Sequence, residues 1–188
     1  MSDSYDRYVQ TTQWFDSHLA AVGADQWSGA TPCTDWDVTA LVDHVLDETR
    51  WVAPLVQGLD LAAAGDVVAA APSTGDRQAD WVPALAQARD AFGAPGAIDG
   101  TVTLSYGEDS TRSYCDQMSF DALVHGWDLA RGIGAPDRMP GDLVGWALEY
   151  AQPLVEMAAG SGMFAPPLDV AADADAQTRL LALVGRRS

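Results

Sequence analysis

Positive charge is scarce in this sequence. It contains no lysine, and its ten arginines stand against 27 aspartate and glutamate residues, which leaves a formal net charge of −17 at pH 7. A surface this acidic repels phosphate backbones and anionic lipid headgroups. We therefore expect neither a nucleic-acid-binding protein nor a membrane-associated one.

Cysteines, targeting signals and long apolar runs are also rare or missing. Cys33 and Cys115 are the only cysteines, too few for a disulfide framework. The N-terminus MSDSYDRYVQ has no basic segment followed by an apolar stretch, and no apolar run is long enough to span a bilayer. Together these absences predict a protein of the reducing cytoplasm.

Apolar residues, by contrast, are plentiful enough for a sizeable core, since 48% of the 188 residues are hydrophobic. The length is about that of one domain, and no internal repeat, low-complexity segment or linker interrupts the chain. We therefore predict one domain over residues 1–188.

Apolar residues recur at three- and four-residue steps, which predicts amphipathic helices along most of the chain. Thr34 is expected to cap the second helix, with Asp37 as an acidic variant of the capping box, and Pro54 to kink or end it. Residues 58–75 are predicted as a loop with room for a short helix, and TVTLSYG as a short strand or extended loop. The long helices are predicted over residues 5–22, 36–53, 76–92, 111–132 and 141–160, the last kinked at Pro153, before a short helix over 175–185. Ser110 is expected to cap the helix over 111–132. The expected fold is an all-α helix bundle with short extra helices and a short extended segment.

Ionisable residues lie on one strip of the predicted helix over residues 111–132. Asp121 and His125 are four positions apart and Asp128 is seven from Asp121, so all three share one helix face. Their neighbours are apolar, which turns part of this face inward. The second helix repeats the pattern, with His44 among apolar residues and Glu48 one turn later. Buried imidazole and carboxylate groups need hydrogen-bond partners or a metal ion.

Helix bundles build metal sites from side chains that project inward from facing helices. Neutral imidazole and ionised carboxylate suit zinc, nickel or iron(II), and three protein ligands leave a coordination position open, as in catalytic sites. The same spacing also fits hydrogen-bonded core histidines and an ordinary acid–histidine pair on a helix. Sequence spacing does not show that His44 meets His125 in space.

Two stretches, TPCTDWDVTALVDHVL and FDALVHGWDLARGIG, resemble the DinB-like superfamily. The likeness is strongest to the actinobacterial branch related to the metal-binding N-terminal domain of mycothiol-dependent maleylpyruvate isomerase. The ending QTRLLALVGR also resembles the tail of small proteins in that branch, so the resemblance covers nearly the whole chain.

The resemblance implies a four-helix bundle that holds a divalent metal, which is zinc in the isomerase relatives. There, one histidine of the second helix and a Glu-x-x-x-His pair on a later helix hold the ion. Carried over, these ligands are His44, Asp121 and His125, with aspartate in place of the glutamate. Because aspartate is one methylene shorter, Asp121 could bind differently or act through water.

Further residues around this strip have candidate roles. Asp128 is predicted to accept a hydrogen bond from a metal-binding imidazole and so to fix its tautomer. Glu48 could do the same, act as a general base, or be a plain surface acid. Trp36 and Trp127 flank the strip and could line a pocket, although tryptophans at helical steps are most simply core. Arg131 could bind an anionic substrate group, although a surface ion pair is the simpler expectation.

Two functional hypotheses share this metal site. In the first, a small thiol, mycothiol by resemblance, binds the open position, and the activated thiolate attacks an electrophilic substrate in a transferase or isomerase reaction. In the second, the protein is a non-catalytic metal-binding module with a stress or regulatory role. A third hypothesis is an interaction protein without metal. A homodimer formed through helix faces is compatible with all three.

Overall fold

Seven α-helices and one β-hairpin make up the described part of the chain, residues 3–157 and 165–188 of the computed structural model. The helices are α1 (Asp3–Leu19), α2 (Val38–Val56), α3 (Leu61–Ala69), α4 (Arg77–Gly93), α5 (Thr111–Gly132), α6 (Gly141–Met157) and α7 (Ala176–Leu183). The hairpin pairs β1 (Thr101–Leu104) with β2 (Gly107–Ser110) in antiparallel register. The predicted all-α DinB-like architecture is confirmed, and the predicted extended segment is the first strand of this hairpin.

The start of α2 differs from the sequence prediction. Asp37, not Thr34, is the N-cap, because its carboxylate accepts a hydrogen bond from the backbone N–H of Ala40 at 2.8 Å. Residues 33–36 instead form a turn, closed by the Trp36 N–H donating to the Cys33 carbonyl at 2.8 Å. The cap prediction at Thr34 is therefore wrong: the turn delays the helix, which then begins at Val38.

The two prolines that were predicted to kink or end helices, Pro54 and Pro153, lie inside them, as does Pro83 in α4. Pro54 sits near the C-terminus of α2, which continues to Val56, and α6 runs past Pro153 to Met157. Because Pro54 and Pro153 lie close to the ends of their helices, they remove few of the helices' backbone hydrogen bonds. The predicted short helix within residues 58–75 is α3, and Ser110 caps α5 as expected, accepting from the Ser113 N–H. Residues 158–160 of the predicted fifth helix lie outside the described residues.

Four of the long helices, α1, α2, α4 and α5, form the bundle that carries the site. α1 packs along α5, and α2 packs between α4 and α5. One apolar cluster joins α1, α2 and α4 to the C-terminal part of α5, and includes Phe15, Leu41, Val45, Trp81 and Leu129. Burial of such side chains contributes about 1.5–3 kcal/mol each. This packing places the middle of α2 opposite the second half of α5.

α6 and α7 cover the far side of α5. Their buried residues join α5 in a second cluster that includes Leu123, Trp127, Leu143, Leu180 and Leu181. α7 is thereby held close to the C-terminal half of α5. Among the described residues, no helix combines the length and apolar character needed to cross a membrane.

Candidate metal centre

α2 and α5 bring three potential metal ligands together. His44 projects from the middle of α2, and its Nε2 lies 3.6 Å from Oδ1 of Asp121 on α5. One turn further along α5, Nε2 of His125 lies 3.4 Å from the same oxygen. One ligand atom from each residue lies within 4.8 Å of both others. The facing helices thus bring two imidazoles and one carboxylate together, although Asp121 is 77 positions from His44 and 4 positions from His125 in the sequence.

The three side chains combine partial burial with access to solvent. The His44 and Asp121 side chains are 28% and 27% exposed, while that of His125 is 9% exposed. Oδ2 of Asp121 is nevertheless buried and has no hydrogen-bond partner among the described residues. Buried carboxylate oxygens almost always have a partner, so an orphaned one calls for an explanation. A cation at this cluster would supply that partner.

Asp121 and His125 strongly shift each other's pKa. Burial alone would raise the pKa of Asp121, but the adjacent His125 and His44 imidazoles outweigh it and hold that pKa far below its usual range. Burial would likewise lower the pKa of His125, but the carboxylates of Asp121 and Asp128 outweigh it and raise the pKa to about 9. The two carboxylates therefore favour a positive charge at the His125 position.

Asp128 supports the far side of the His125 ring. Its side chain is fully buried, and Oδ2 lies 3.1 Å from Nδ1 of His125. Burial would raise the pKa of Asp128, but His125 and Arg186 outweigh it and lower the pKa, which keeps the carboxylate ionised. The Nδ1–H of His125 can therefore donate to Asp128 while Nε2 faces Asp121.

Arg186 is a participant that sequence reasoning missed. Its Nη2 donates to Oδ2 of Asp128 at 2.8 Å, and its Nε lies 3.2 Å from each carboxylate oxygen. Arg186 is 58 positions away from Asp128, so no helical spacing could connect the two. The sequence holds a weak hint only, because a buried aspartate on an apolar helix requires a cationic or hydrogen-bonding partner from somewhere.

Trp36 forms a wall beside both imidazoles. Its ring centroid lies 4.5 Å from that of His44 and 5.4 Å from that of His125. The loop that carries Trp36 is tied down, since Thr31 donates to the Trp36 carbonyl at 2.7 Å and Gln26 to the Ile133 carbonyl beyond α5 at 2.8 Å. The indole is only partly buried, so it can contact a molecule that approaches the cluster.

Two other predicted pocket residues lie elsewhere. Trp127 is fully buried in the core with α6 and α7, so it cannot line a solvent-accessible pocket. Arg131 is 47% exposed and pairs with Asp137 at 3.1 Å, while its guanidinium lies 5.6 Å from the Trp127 ring centroid. The pocket assignment of Trp127 therefore needs correction, while for Arg131 the structure shows the alternative that was given beside it. Trp127 packs on the inward face of α5, and Arg131 forms the surface ion pair that was the simpler expectation.

Glu48 and Cys33 lie near the cluster without joining it. Glu48 is partly buried one turn beyond His44, and burial, reinforced by the negative charge of Asp121, raises the pKa of its carboxyl group. Burial also raises the pKa of the half-buried Cys33 thiol, which keeps that thiol protonated at neutral pH. A carboxyl group whose pKa lies closer to neutrality is better suited to exchange a proton at pH 7.

Comparison with known proteins agrees with this fold. The model of the mycothiol maleylpyruvate isomerase N-terminal domain matches residues 9–130, which include His44, Asp121 and His125. Two uncharacterized proteins of Mycobacterium tuberculosis, from strains CDC 1551 / Oshkosh and ATCC 25618 / H37Rv, are each 32% identical over 145 residues. That match spans 75% of this chain and 73% of each relative.

A solved structure shares the fold at low sequence identity. The crystal structure of a histidine-to-alanine mutant of mycothiol-dependent maleylpyruvate isomerase superposes with a TM-score of 0.62 at 14% identity. The superposition covers 84% of this chain and 72% of that one. The predicted resemblance is thereby confirmed, and the chain belongs to the mycothiol maleylpyruvate isomerase N-terminal domain family.

Proposed function

We propose that the protein binds one divalent metal ion through His44, Asp121 and His125 and uses it in a mycothiol-type, thiol-dependent transferase or isomerase reaction. The observation that carries this proposal is the convergence of the three ligand atoms within 4.8 Å on a partly exposed face of the bundle. The name of the structural neighbour, a mycothiol-dependent isomerase, supports a small thiol as the reactant.

The geometry of the cluster fits a metal ion. Two ligands at about 2.0–2.1 Å from a tetrahedral zinc ion lie about 3.3–3.4 Å apart. The imidazole-to-carboxylate distances of 3.4 and 3.6 Å are close to that spacing before any adjustment. Two nitrogen donors and one oxygen donor suit zinc best, with nickel and iron(II) as further options. The orphaned Oδ2 of Asp121 supports the same conclusion, because it gains a partner.

Three protein ligands leave room for an exogenous one, which is typical of catalytic rather than structural sites. When bound, a divalent cation supplies Lewis acidity that lowers the pKa of a thiol at the open position, so that thiolate is available at neutral pH. Within the chain, Asp128 accepts a hydrogen bond from the Nδ1–H of His125 and so holds that ring in place. Trp36 offers an apolar wall to the substrate. In this proposal Glu48, one turn beyond His44, accepts the proton that the thiol releases; the raised pKa of its carboxyl group supports that role.

The overall chemistry is redox-neutral. In an isomerisation the thiolate sulfur adds to one carbon of a double bond, the remaining bond rotates, and the carbon–sulfur bond breaks again to return the thiol. In a transfer the new carbon–sulfur bond stays, the leaving group departs with its electron pair, and the thiol proton passes to Glu48 and then to solvent. Neither course consumes an oxidant or a reductant.

Metal content is the first test. Protein purified without a metal-affinity tag should contain about one equivalent of a divalent transition metal by elemental analysis. His44→Ala and His125→Ala should lose most of it. His18→Ala is the matched control, because His18 is the third histidine of the chain and lies outside the cluster. Equal metal content in all three variants would refute the metal site.

Thiol-dependent turnover is the second test, and it separates catalysis from a non-catalytic metal-binding module. Metal-loaded protein should bind mycothiol by calorimetry and accelerate its reaction with electrophiles, maleylpyruvate among them, and a chelator should abolish both effects. The 28% and 27% exposure of the His44 and Asp121 side chains favours the catalytic alternative, because a purely structural site would be closed. Stoichiometric metal without thiol binding or turnover would instead establish the binding module.

A further inference from the structure

We propose that Arg186 is a positioning residue for the metal centre: by clamping Asp128 from the C-terminal segment, it holds His125 with Nε2 directed at the cluster. This inference rests on the proposed metal site. It adds a residue that lies outside the family match over residues 9–130 and some 58 positions from the aspartate that it contacts.

The end of α7 sets the direction of Arg186. Gly185 adopts a left-handed conformation, with φ of 77°. Its N–H donates to the Ala182 carbonyl at 3.1 Å, and the Arg186 N–H donates to the Leu181 carbonyl at 2.7 Å. These two bonds form a Schellman motif, which turns the chain sharply after the helix. The motif sends the Arg186 side chain back over α7 towards α5.

Every nitrogen of the Arg186 guanidinium has a partner. Nη2 and Nε bind Asp128, while Nη1 donates to the Val184 carbonyl at 3.0 Å. The side chain is only 11% exposed, so this arrangement is held in place rather than averaged among solvated rotamers. A two-point contact between guanidinium and carboxylate fixes the carboxylate plane as well as its position.

The same carboxylate oxygen serves Arg186 and His125. Oδ2 of Asp128 lies 2.8 Å from Nη2 of Arg186 and 3.1 Å from Nδ1 of His125. A fully buried carboxylate with only an imidazole partner would be expensive to keep ionised, and Arg186 supplies the compensating charge. The chain of contacts therefore runs from α7 through Asp128 to the ring that faces Asp121.

A positioning role and a purely electrostatic role for Arg186 predict opposite changes in metal affinity when its side chain is removed. If Arg186 acted only as a positive charge near the cation, removing it would relieve repulsion and tighten metal binding. If it acts by holding Asp128 and His125, removing it should weaken binding. Partners that orient metal ligands typically contribute 10–100-fold to affinity. Because Arg186 acts one contact further out, we expect a loss of about tenfold.

The test is the affinity of the full chain for Zn²⁺ alone, measured by competition with a chromophoric chelator. Arg186→Met should bind Zn²⁺ about tenfold more weakly than the wild type, and Arg186→Lys, which keeps the charge but not the two-point clamp, should fall between them. Arg187→Met is the matched control, because Arg187 is the exposed neighbour, and it should bind like the wild type. Unchanged or tighter binding in both Arg186 variants would overturn the inference.

A spectroscopic readout separates positioning from a general loss of structure. In zinc-loaded wild type, long-range ¹H–¹⁵N correlations should show His125 with its proton on Nδ1, and in Arg186→Met that proton should exchange rapidly or be lost. If Arg186→Met does not fold, Arg186→Lys decides the matter alone, since a folded variant with wild-type affinity and ring spectrum overturns the clamp. If the wild type itself binds no Zn²⁺ through His44 and His125, the proposed function fails and the inference falls with it.

Discussion

Gly126, which follows the candidate ligand His125, lies where α5 packs closely against Trp14 of α1. A Cβ atom added to Gly126 would lie 2.5 Å from both Cδ1 and Nε1 of Trp14 on α1 and 3.5 Å from Cα of Phe15. Real Cβ atoms do not tolerate contacts of 2.5 Å, so Gly126→Ala must displace the Trp14 indole from its packed position against α5. We therefore expect this small substitution to destabilise the protein.

The expected size follows from two opposing effects. Overpacking a close contact costs about 1–3 kcal/mol, while replacing glycine by alanine inside a helix gains about 1 kcal/mol. Because contacts of 2.5 Å are severe, the cost should lie in the upper part of its range, at about 2–3 kcal/mol. The net loss is then about 1–2 kcal/mol, which corresponds to a fall of about 2–8 °C in Tm for a domain of this size. Gly145 on α6 provides the matched control, because an added Cβ there meets nothing within 4 Å. Gly145→Ala should gain up to about 1 kcal/mol.

Urea denaturation followed by circular dichroism measures both changes in the free energy of unfolding. The account predicts opposite signs for the same substitution in two helices, with Gly126→Ala below the wild type and Gly145→Ala at or above it. If Gly126→Ala is as stable as Gly145→Ala, the tight approach of Trp14 to α5 is wrong, and so is the helix packing that places His125.

Three further predictions address the N-cap, His18 and His125. Asp37→Ala should lower the free energy of unfolding by about 1 kcal/mol, because it removes the N-cap of α2. Thr34→Ala should change that free energy by less than about 0.5 kcal/mol. A larger loss in Thr34→Ala than in Asp37→Ala would mean that Thr34 is the cap. Burial lowers the pKa of His18, so as the pH falls the unfolded chain binds a proton at this histidine before the folded chain does. The free energy of unfolding should therefore decrease below about pH 6.5, by at most about 1.4 kcal/mol per pH unit. Urea titrations at pH 7.5 and 5.5 should therefore show a smaller acid loss in His18→Gln than in the wild type, and equal losses would contradict this. Because the pKa of His125 is raised to about 9, Zn²⁺ must displace a proton from this imidazole when it binds. The affinity for Zn²⁺ should therefore rise by up to about tenfold per pH unit between pH 6 and 8. An affinity that does not change with pH would mean that His125 is not a ligand.

Much of the architecture could be predicted from the sequence because the signals are local. Apolar periodicity located the long helices, and Ser110 identified the start of α5. The acid and histidine at i and i+4 on α5 were bound to share a face once that segment was helical. The meeting of Asp121 with His44 is a tertiary contact, and the family resemblance rather than the spacing suggested it.

The features that sequence reasoning missed depend on packing between distant segments. Arg186 reaches Asp128 only because α7 docks on α5 and its Schellman turn redirects the chain. For Trp127 the sequence left both pocket lining and core packing open, and its burial against α6 and α7 places it in the core. The cap of α2 moved from Thr34 to Asp37 because the preceding residues form a turn. None of these outcomes leaves a periodic pattern in the sequence.

X-ray absorption spectroscopy of the zinc-loaded protein can identify the metal ligands, because it reports the atoms bound to the metal. The account predicts one zinc per chain with only nitrogen and oxygen neighbours at about 2.0–2.1 Å, including the scattering pattern of two imidazole rings, and loss of one ring in His44→Ala. A shell of sulfur at about 2.3 Å would place the metal on Cys33 or Cys115 instead. Either that shell, or two imidazoles that persist in His44→Ala, would contradict a metal centre built from His44, Asp121 and His125.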